Sequence, residues 1–130
     1  MKKIFLTLLL LISSLYAELT NEYLSQKLLD SKIPIVDIRT PGEWRQTGIV
    51  KDSIPIMFFN ERGGYDLNAF LNVLNQKVDT TKPFALICRT GSRTQVVSKY
   101  LSAELGYKVT NVKGGITYPM MKNPPFIKYK

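Results

Sequence analysis

Short apolar runs alternate along this chain with segments of helical spacing, and this alternation constrains the fold more than any other feature. The runs predict buried strands, and they occupy Ile33–Ile38, Ser53–Ile56, Phe84–Ile87 and Val109–Val112. Strands that are joined through helices form right-handed crossovers and a parallel sheet. The 130-residue length suits one such unit. The sequence therefore predicts an α/β domain of three layers, with a central, mostly parallel sheet flanked by helices.

Capping signals mark where the first two predicted helices begin. Thr40 and Glu43 form a capping-box pattern, which predicts a short helix that ends near Gly48. Thr20 with Glu22 in the following turn predicts an earlier helix, running to about residue 30.

Apolar spacing predicts two longer helices. Asp66 is a candidate N-cap for a helix whose apolar stripe consists of Leu67, Phe70, Leu71 and Leu74. A second helix is predicted from Thr94 to Leu105, with Gly106 at its C-terminal end. No pattern defines the tail from Tyr118 to Lys130.

The first seventeen residues have the features of a secretory signal peptide. Lys2 and Lys3 precede an apolar stretch from Ile4 to Ile12, and the segment ends in the small residue Ala17. We therefore expect residues 1–17 to be a signal peptide and residues 18–130 a single domain of a periplasmic or otherwise exported protein. The apolar stretch is about half of the roughly 20 residues that a spanning helix needs, so no stable membrane insertion is expected after cleavage. A buried N-terminal core helix is the alternative.

Composition excludes several kinds of site. The chain has no His and one Cys, which rules out an imidazole base, a His-ligated metal and an intramolecular disulfide. We expect no metal and no cofactor. The formal charge is +8, but Lys and Arg are scattered singly, so small anionic substrates are expected rather than nucleic acid.

The single cysteine lies in a loop that favours negative charge. The segment Cys88–Arg93 follows a predicted buried strand and precedes a predicted helix, where backbone N–H groups lack intrahelical partners. These groups, the helix dipole and the guanidinium groups of Arg89 and Arg93 favour a thiolate, and Gly91 permits a sharp turn. We therefore predict that Cys88 is a nucleophile that is not wholly interior; the alternative is a buried structural cysteine.

These residues carry a resemblance to the rhodanese (sulfurtransferase) family. Residues 88–94 resemble its active-site pattern Cys-Arg-x-Gly-x-Arg-Ser/Thr, and residues 37–44 resemble its Asp-x-Arg…Glu-Trp segment. Residues 112–116 resemble its C-terminal Gly-Gly segment. Residues 48–54 depart from its Gly-His-Ile-x-Gly-Ala stretch, because His and the second Gly are missing.

The resemblance implies a rhodanese-like fold and a thiosulfate sulfurtransferase activity. Sulfane sulfur would move from a small anionic donor such as thiosulfate, through a persulfide on the catalytic residue Cys88, to cyanide or to a thiol or protein acceptor. The residues expected to bind the substrate are Arg89, Thr90, Gly91, Ser92 and Arg93. Asp37 and Arg39 are expected to support the site, Asp37 by holding loop backbone or pairing with Arg39, and Arg39 also by pairing with Glu43.

Other functions remain open at the level of sequence. A rhodanese-fold module could bind a partner or carry a persulfide with little turnover of its own. A thiol oxidoreductase would need a cysteine from a second protein. A phosphatase is disfavoured because the loop is Cys-x4-Arg, one residue shorter than the Cys-x5-Arg pattern of related phosphatases.

Aromatic residues near the predicted site have two possible roles. Met57, Phe58 and Phe59 either line the mouth of a pocket or pack in the core, and packing is favoured. Trp44 is expected to pack in the core. The segment 60–65 is either a lid or a simple connection.

Overall fold

The computed structural model describes residues 19–130 and shows seven strands and four helices there. The strands in chain order are β1 (Leu19–Tyr23), β2 (Ile35–Asp37), β3 (Ile49–Val50), β4 (Ile54–Pro55), β5 (Phe84–Ile87), β6 (Val109–Lys113) and β7 (Phe126–Ile127). The helices are α1 (Gln26–Asp30), α2 (Pro41–Thr47), α3 (Leu67–Lys77) and α4 (Ser92–Leu105). The predicted signal peptide, residues 1–17, lies outside the described residues. Within residues 19–130, no helix is long and apolar enough to cross a membrane.

The main sheet has five parallel strands in the order β1-β6-β5-β2-β4. Helices cover both faces of the sheet, and alternate residues of the strands therefore pack in two different apolar clusters. Val36 and Leu86 pack with residues of α3 and α4, whereas Ile35 and Ala85 pack with residues of α1. The predicted three-layer α/β class is confirmed. Because all the strands are parallel, their carboxyl ends meet at one edge, where functional residues of such sheets gather.

The predicted helix boundaries are largely confirmed. Thr40 Oγ1 accepts from Glu43 N–H at 3.3 Å, and Glu43 Oε1 accepts in return from Thr40 N–H, which completes the capping box at α2. Asp66 caps α3, and Gly106, at φ +70°, ends α4. Helix α4 begins at Ser92, two residues before the predicted start.

The predicted first helix is wrong in its first half. Leu19–Tyr23 forms the edge strand β1, which pairs with β6 in register. Thr20 does not cap a helix; its hydroxyl lies 2.7 Å from the hydroxyl of Thr110. The cap of α1 is Ser25, whose Oγ accepts from Leu28 N–H at 3.1 Å. Pairing with a strand about 90 residues further along the chain outweighs the local helical signal here.

The stretch that departs from the family pattern still forms a tight turn. Asp52 takes φ +67° at the place of the missing second Gly, and Asp is among the few residues that tolerate this conformation. The turn is tied to the C-terminal tail, because Lys51 N–H donates to Pro125 O at 2.7 Å and β3 pairs with β7. A Cβ at Gly48 would overlap the carbonyl oxygen of Ile127. The tail, for which the sequence showed no pattern, therefore packs closely against residues 48–51.

Candidate active site

Cys88 stands at the carboxyl end of β5, where the following loop curls back onto its sulfur. The N–H of Gly91 donates to Cys88 Sγ at 3.2 Å. Thr94 Oγ1 lies 3.5 Å from the same sulfur and donates to Gly91 O at 3.2 Å. Gly91 has φ +96°, a conformation that a glycine adopts freely and that turns its N–H toward the sulfur. The loop thus places a backbone donor and a hydroxyl around one thiol.

The thiol is fully covered, so the expectation that Cys88 is not wholly interior is wrong. Its exposed fraction is 0%, and it belongs to the apolar cluster beneath α3 and α4. The backbone of Cys88 is also held by a second segment, because Ile116 N–H donates to Cys88 O at 3.0 Å. A reactant can therefore reach Sγ only after neighbouring groups move.

The Gly114–Gly115 turn braces the cysteine loop from the side of β6. Thr117 donates to the Arg89 carbonyl oxygen twice, through its N–H at 3.1 Å and through its hydroxyl at 2.8 Å. A Cβ at Gly115 would overlap the carbonyl oxygens of Cys88 and Arg89. Only a glycine allows this approach, which explains in physical terms the Gly-Gly segment noted in the sequence.

Arg93 is held by Glu43 through two short hydrogen bonds. Its Nη1 donates to Glu43 Oε1 at 2.7 Å and its Nη2 to Oε2 at 2.8 Å, with the side chains 27% and 24% exposed. The hydrogen bond from Arg93 lowers the pKa of Glu43 from 4.5 to about 2, and the same bond raises the pKa of Arg93. Glu43 was not among the predicted site residues, although its place in a capping box was visible. It joins the start of α2 to the cysteine loop.

Asp37 and Arg39 form a buried ion pair, so the predicted pairing is present and the predicted Arg39–Glu43 pair is wrong. Both side chains are 0% exposed, and Arg39 Nη2 lies 2.8 Å from Asp37 Oδ2. Asp37 Oδ1 also accepts from Arg39 N–H at 3.1 Å and from Trp44 Nε1 at 3.1 Å. Arg39 in turn donates to Thr47 Oγ1 at 2.8 Å and to Gly48 O at 2.9 Å. Through these bonds the pair holds the middle and the C-terminal end of α2, the helix that carries Glu43.

The other predicted binding residues differ in their surroundings. Arg89, Thr90 and Ser92 are exposed, whereas Gly91 is buried against the sulfur. The hydroxyls of Thr90 and Ser92 lie 3.4 Å apart. Three of the five predicted residues therefore lie on the loop and two, Ser92 and Arg93, in the first turn of α4, where the guanidinium group of Arg93 is already bonded to the Glu43 carboxylate.

The aromatic residues after β4 pack together, as favoured from the sequence. Phe58 is buried and stacks on Tyr65 with ring centroids 5.3 Å apart, and its edge contacts include Phe59 at 4.7 Å. Met57 is 37% exposed, so the core packing that the sequence favoured for it is wrong. The segment 60–65 is a closed turn, because Asn60 Oδ1 accepts from the N–H groups of residues 62 and 64 at 2.9 Å each. Trp44 is buried and contacts Tyr129 edge-on.

Among residues 19–130, no group of three or more Cys, Asp or Glu side chains is placed to hold a metal ion. The groups around Cys88 that can act chemically include its thiol, the hydroxyl of Thr94, the loop amides and the neighbouring guanidinium groups.

Comparisons with known proteins agree on one family. The model of the rhodanese-like domain matches residues 20–118. The chain is 32% identical over 85 residues to the uncharacterized protein RP600 of Rickettsia prowazekii, and the match covers 62% of this chain and 66% of that protein, just under two thirds. It is 28% identical over 100 residues to a sulfurtransferase of Allochromatium vinosum, with 76% and 83% of the two chains covered. A rhodanese-like domain protein from Staphylococcus aureus shares the fold at a TM-score of 0.57 and 20% identity, over 82% of this chain and 99% of that one. Together with the loop around Cys88, these matches show that the chain belongs to the rhodanese-like domain family.

Proposed function

We propose that this protein is a sulfurtransferase that carries sulfur as a persulfide on Cys88. The observation that carries the proposal is the 3.2 Å hydrogen bond from Gly91 N–H to Cys88 Sγ at the start of α4. A backbone N–H aimed at the sulfur is placed to hydrogen-bond it while it acts as the nucleophile. The same donor would stabilise the charge of a terminal persulfide sulfur. Membership of the family and the sulfurtransferase of Allochromatium vinosum support the assignment.

The reaction consists of two displacements at sulfur. The Cys88 thiolate attacks the outer sulfur of thiosulfate, a new S–S bond forms, and sulfite leaves with the electron pair of the broken S–S bond. An acceptor thiolate, or cyanide, then attacks the outer sulfur of the persulfide and releases the Cys88 thiolate. No net oxidant or reductant is consumed in this cycle.

The two arginines of the loop have different roles in this proposal. Arg89 is exposed and is the one available to hold the sulfonate group of the donor. Arg93 already gives both terminal nitrogens to Glu43, so it acts as a positioning residue that fixes the start of α4. Because Cys88 is covered, the cycle includes a movement of neighbouring groups before the first attack.

Mass spectrometry after treatment with thiosulfate tests the proposal. Cys88 is the single cysteine of the chain, so an added sulfur atom, about 32 Da, has one thiol on which to form. We expect this adduct on the reduced wild-type protein, its loss after treatment with cyanide, and none on Cys88→Ser. The matched control is Lys99→Gln, an exposed change on α4 that should load sulfur like the wild type. A wild-type protein that gains no sulfur would refute the proposal.

The burial of Cys88 favours a second candidate, a persulfide carrier that delivers sulfur to a particular protein. A fully covered sulfur exchanges slowly with small acceptors, and a docked partner can supply the binding energy that opens the site. Steady-state rates with cyanide and with small thiols separate the two candidates. Full sulfur loading with negligible turnover on every small acceptor would identify a carrier, whereas sustained turnover would identify an enzyme of the thiosulfate sulfurtransferase type.

A further inference from the structure

An apolar groove of about 210 Å³ opens between α4 and the segment that follows β4. One wall of this groove consists of Phe58, Phe59 and Tyr65, and the other of Val96, Val97 and Tyr100. All the residues that line it are apolar or aromatic. Its rim faces water, because Tyr65 is 64% exposed, Val96 62% and Tyr100 39%. An apolar group that fills the groove would therefore remove apolar surface from water, which is favourable.

Contacts between aromatic rings hold the first wall of the groove in place. Phe58 stacks on Tyr65 with ring centroids 5.3 Å apart, and Phe59 meets Tyr65 edge-on at 5.7 Å. Phe58 also contacts Phe70 of α3 edge-on at 4.8 Å. Because the wall is already packed, a ligand would bind without paying to order it.

The groove adjoins the buried cluster that covers the sulfur. Its two buried lining residues, Phe58 and Val97, belong to the same apolar cluster as Cys88. Val97 follows Thr94 by three residues, about 4.5 Å along the helix axis, and both are buried. The hydroxyl of Thr94 lies 3.5 Å from Cys88 Sγ. The floor of the groove and the cover of the sulfur are therefore parts of one packed unit.

The size of the groove selects a small occupant. A stable protein–protein interface takes about 20–30 residues from each side, whereas seven residues line this groove. A second copy of the chain or a folded partner would need much more surface than the groove provides. Its volume is also below the roughly 300–1,000 Å³ of sites for drug-sized ligands, so it suits a single ring. The apolar lining requires that this ring be uncharged.

We propose that the groove binds the apolar group of the sulfur acceptor, a thiol that carries one ring on a short alkyl chain. The inference rests on the proposed persulfide at Cys88. With the ring in the groove, the acceptor thiolate attacks the outer sulfur of the persulfide once the cluster over Cys88 has opened. A new S–S bond forms, the bond from that sulfur to Cys88 Sγ breaks, and its electron pair stays on the Cys88 thiolate. The acceptor leaves as a persulfide, so no oxidant or reductant is consumed.

Steady-state turnover with two alkane thiols tests the groove. With thiosulfate as donor and the full chain as enzyme, kcat/KM is measured for 2-phenylethanethiol and for ethanethiol, which differ by the ring. We expect the ring to raise kcat/KM about tenfold, chiefly through a lower KM. Val96→Gln places a polar amide at the rim and should reduce this preference about fivefold. Leu105→Gln is the matched control, because Leu105 is a partly exposed apolar residue of α4 outside the groove, and it should leave the preference unchanged.

Binding is also measured without sulfur chemistry. The alcohol 2-phenylethanol has the same ring but no thiol, and NMR of the isotope-labelled full chain follows its titration. We expect saturable shifts at residues 58, 59, 65, 96, 97 and 100, in the wild type and in Cys88→Ser alike.

Several outcomes would overturn the proposal. Equal kcat/KM for the two thiols, or equal loss of preference in the two variants, would show that the groove does not select the acceptor. Shifts that do not saturate, or that lie outside the groove, would show that no site exists there. Turnover with a protein acceptor alone would mean that the acceptor is not a small thiol. In each of these cases Cys88 still gains sulfur from thiosulfate, whereas failure of the proposed function leaves it without sulfur.

Discussion

Replacing Gly115 with alanine tests whether the Gly-Gly turn braces the cysteine loop. Gly115 has φ +57°, and a Cβ there would lie closer than 3.0 Å to the carbonyl oxygens of Cys88 and Arg89. The left-handed backbone alone costs an L-residue about 1 kcal/mol. Displacing two backbone carbonyls adds about 1–3 kcal/mol. We therefore expect Gly115→Ala to lower the free energy of unfolding by about 2–4 kcal/mol.

Gly106→Ala is the matched control for this change. Gly106 has a similar φ of +70°, but a Cβ there meets nothing within 4 Å. Gly106→Ala should therefore lower the free energy of unfolding only by the backbone strain, about 1 kcal/mol. Urea unfolding followed by the fluorescence of Trp44, the single tryptophan, measures both variants.

Activity gives a second readout of the same brace. If the turn positions the loop, Gly115→Ala should also slow sulfur loading of Cys88 under conditions where the protein is fully folded, and Gly106→Ala should not. Equal losses of stability in the two variants, together with equal loading rates, would refute the reasoning, because the contact with the loop would then contribute nothing.

Two buried or partly buried ion pairs give further predictions. Glu43→Gln should lower the free energy of unfolding by about 1 kcal/mol at pH 7, a value reduced for the partial exposure of the pair with Arg93. Pairing holds the folded pKa of Glu43 at about 2, below its usual 4.5. The difference in free energy of unfolding between wild type and variant should therefore be full above pH 4.5 and vanish as the pH falls through 2. Urea unfolding across this pH range measures the difference, and a value that does not change with pH would contradict the prediction. Asp37→Asn should lower the free energy of unfolding by about 3–5 kcal/mol, because it leaves Arg39 buried without a charged partner. Thermal unfolding measures this loss, and a loss below about 1 kcal/mol would show that the ion pair adds little to stability.

Much of the central fold was predictable because its signals are local. The run Phe84–Ile87 is apolar at every position and forms the buried strand β5 with the predicted bounds. The capping box at Thr40 and the glycine at the end of α4 depend on residues within one helical turn. The Cys88–Arg93 motif likewise indicated a loop between a strand and a helix; the structure shows this loop over residues 88–91, with the last two residues of the motif in the first turn of α4.

The remaining features depend on residues far apart in the chain. The assignment of Leu19–Tyr23 as a strand requires β6 as its partner, and no local pattern shows that partner. The bond between Glu43 and Arg93 joins residues 50 positions apart, and at the level of sequence Arg39 was an equally good partner. The covering of Cys88 arises in an apolar cluster that brings together residues of α3, α4 and several strands, and no residue within the motif shows that packing.

The complete coverage of Cys88 also makes its sulfur a protected one. The folded structure blocks oxidants and alkylating reagents from the thiol, so they modify it only while the surrounding structure is open. At reagent concentrations high enough that every opening leads to modification, the rate of labelling in the native protein would equal the rate at which the site opens.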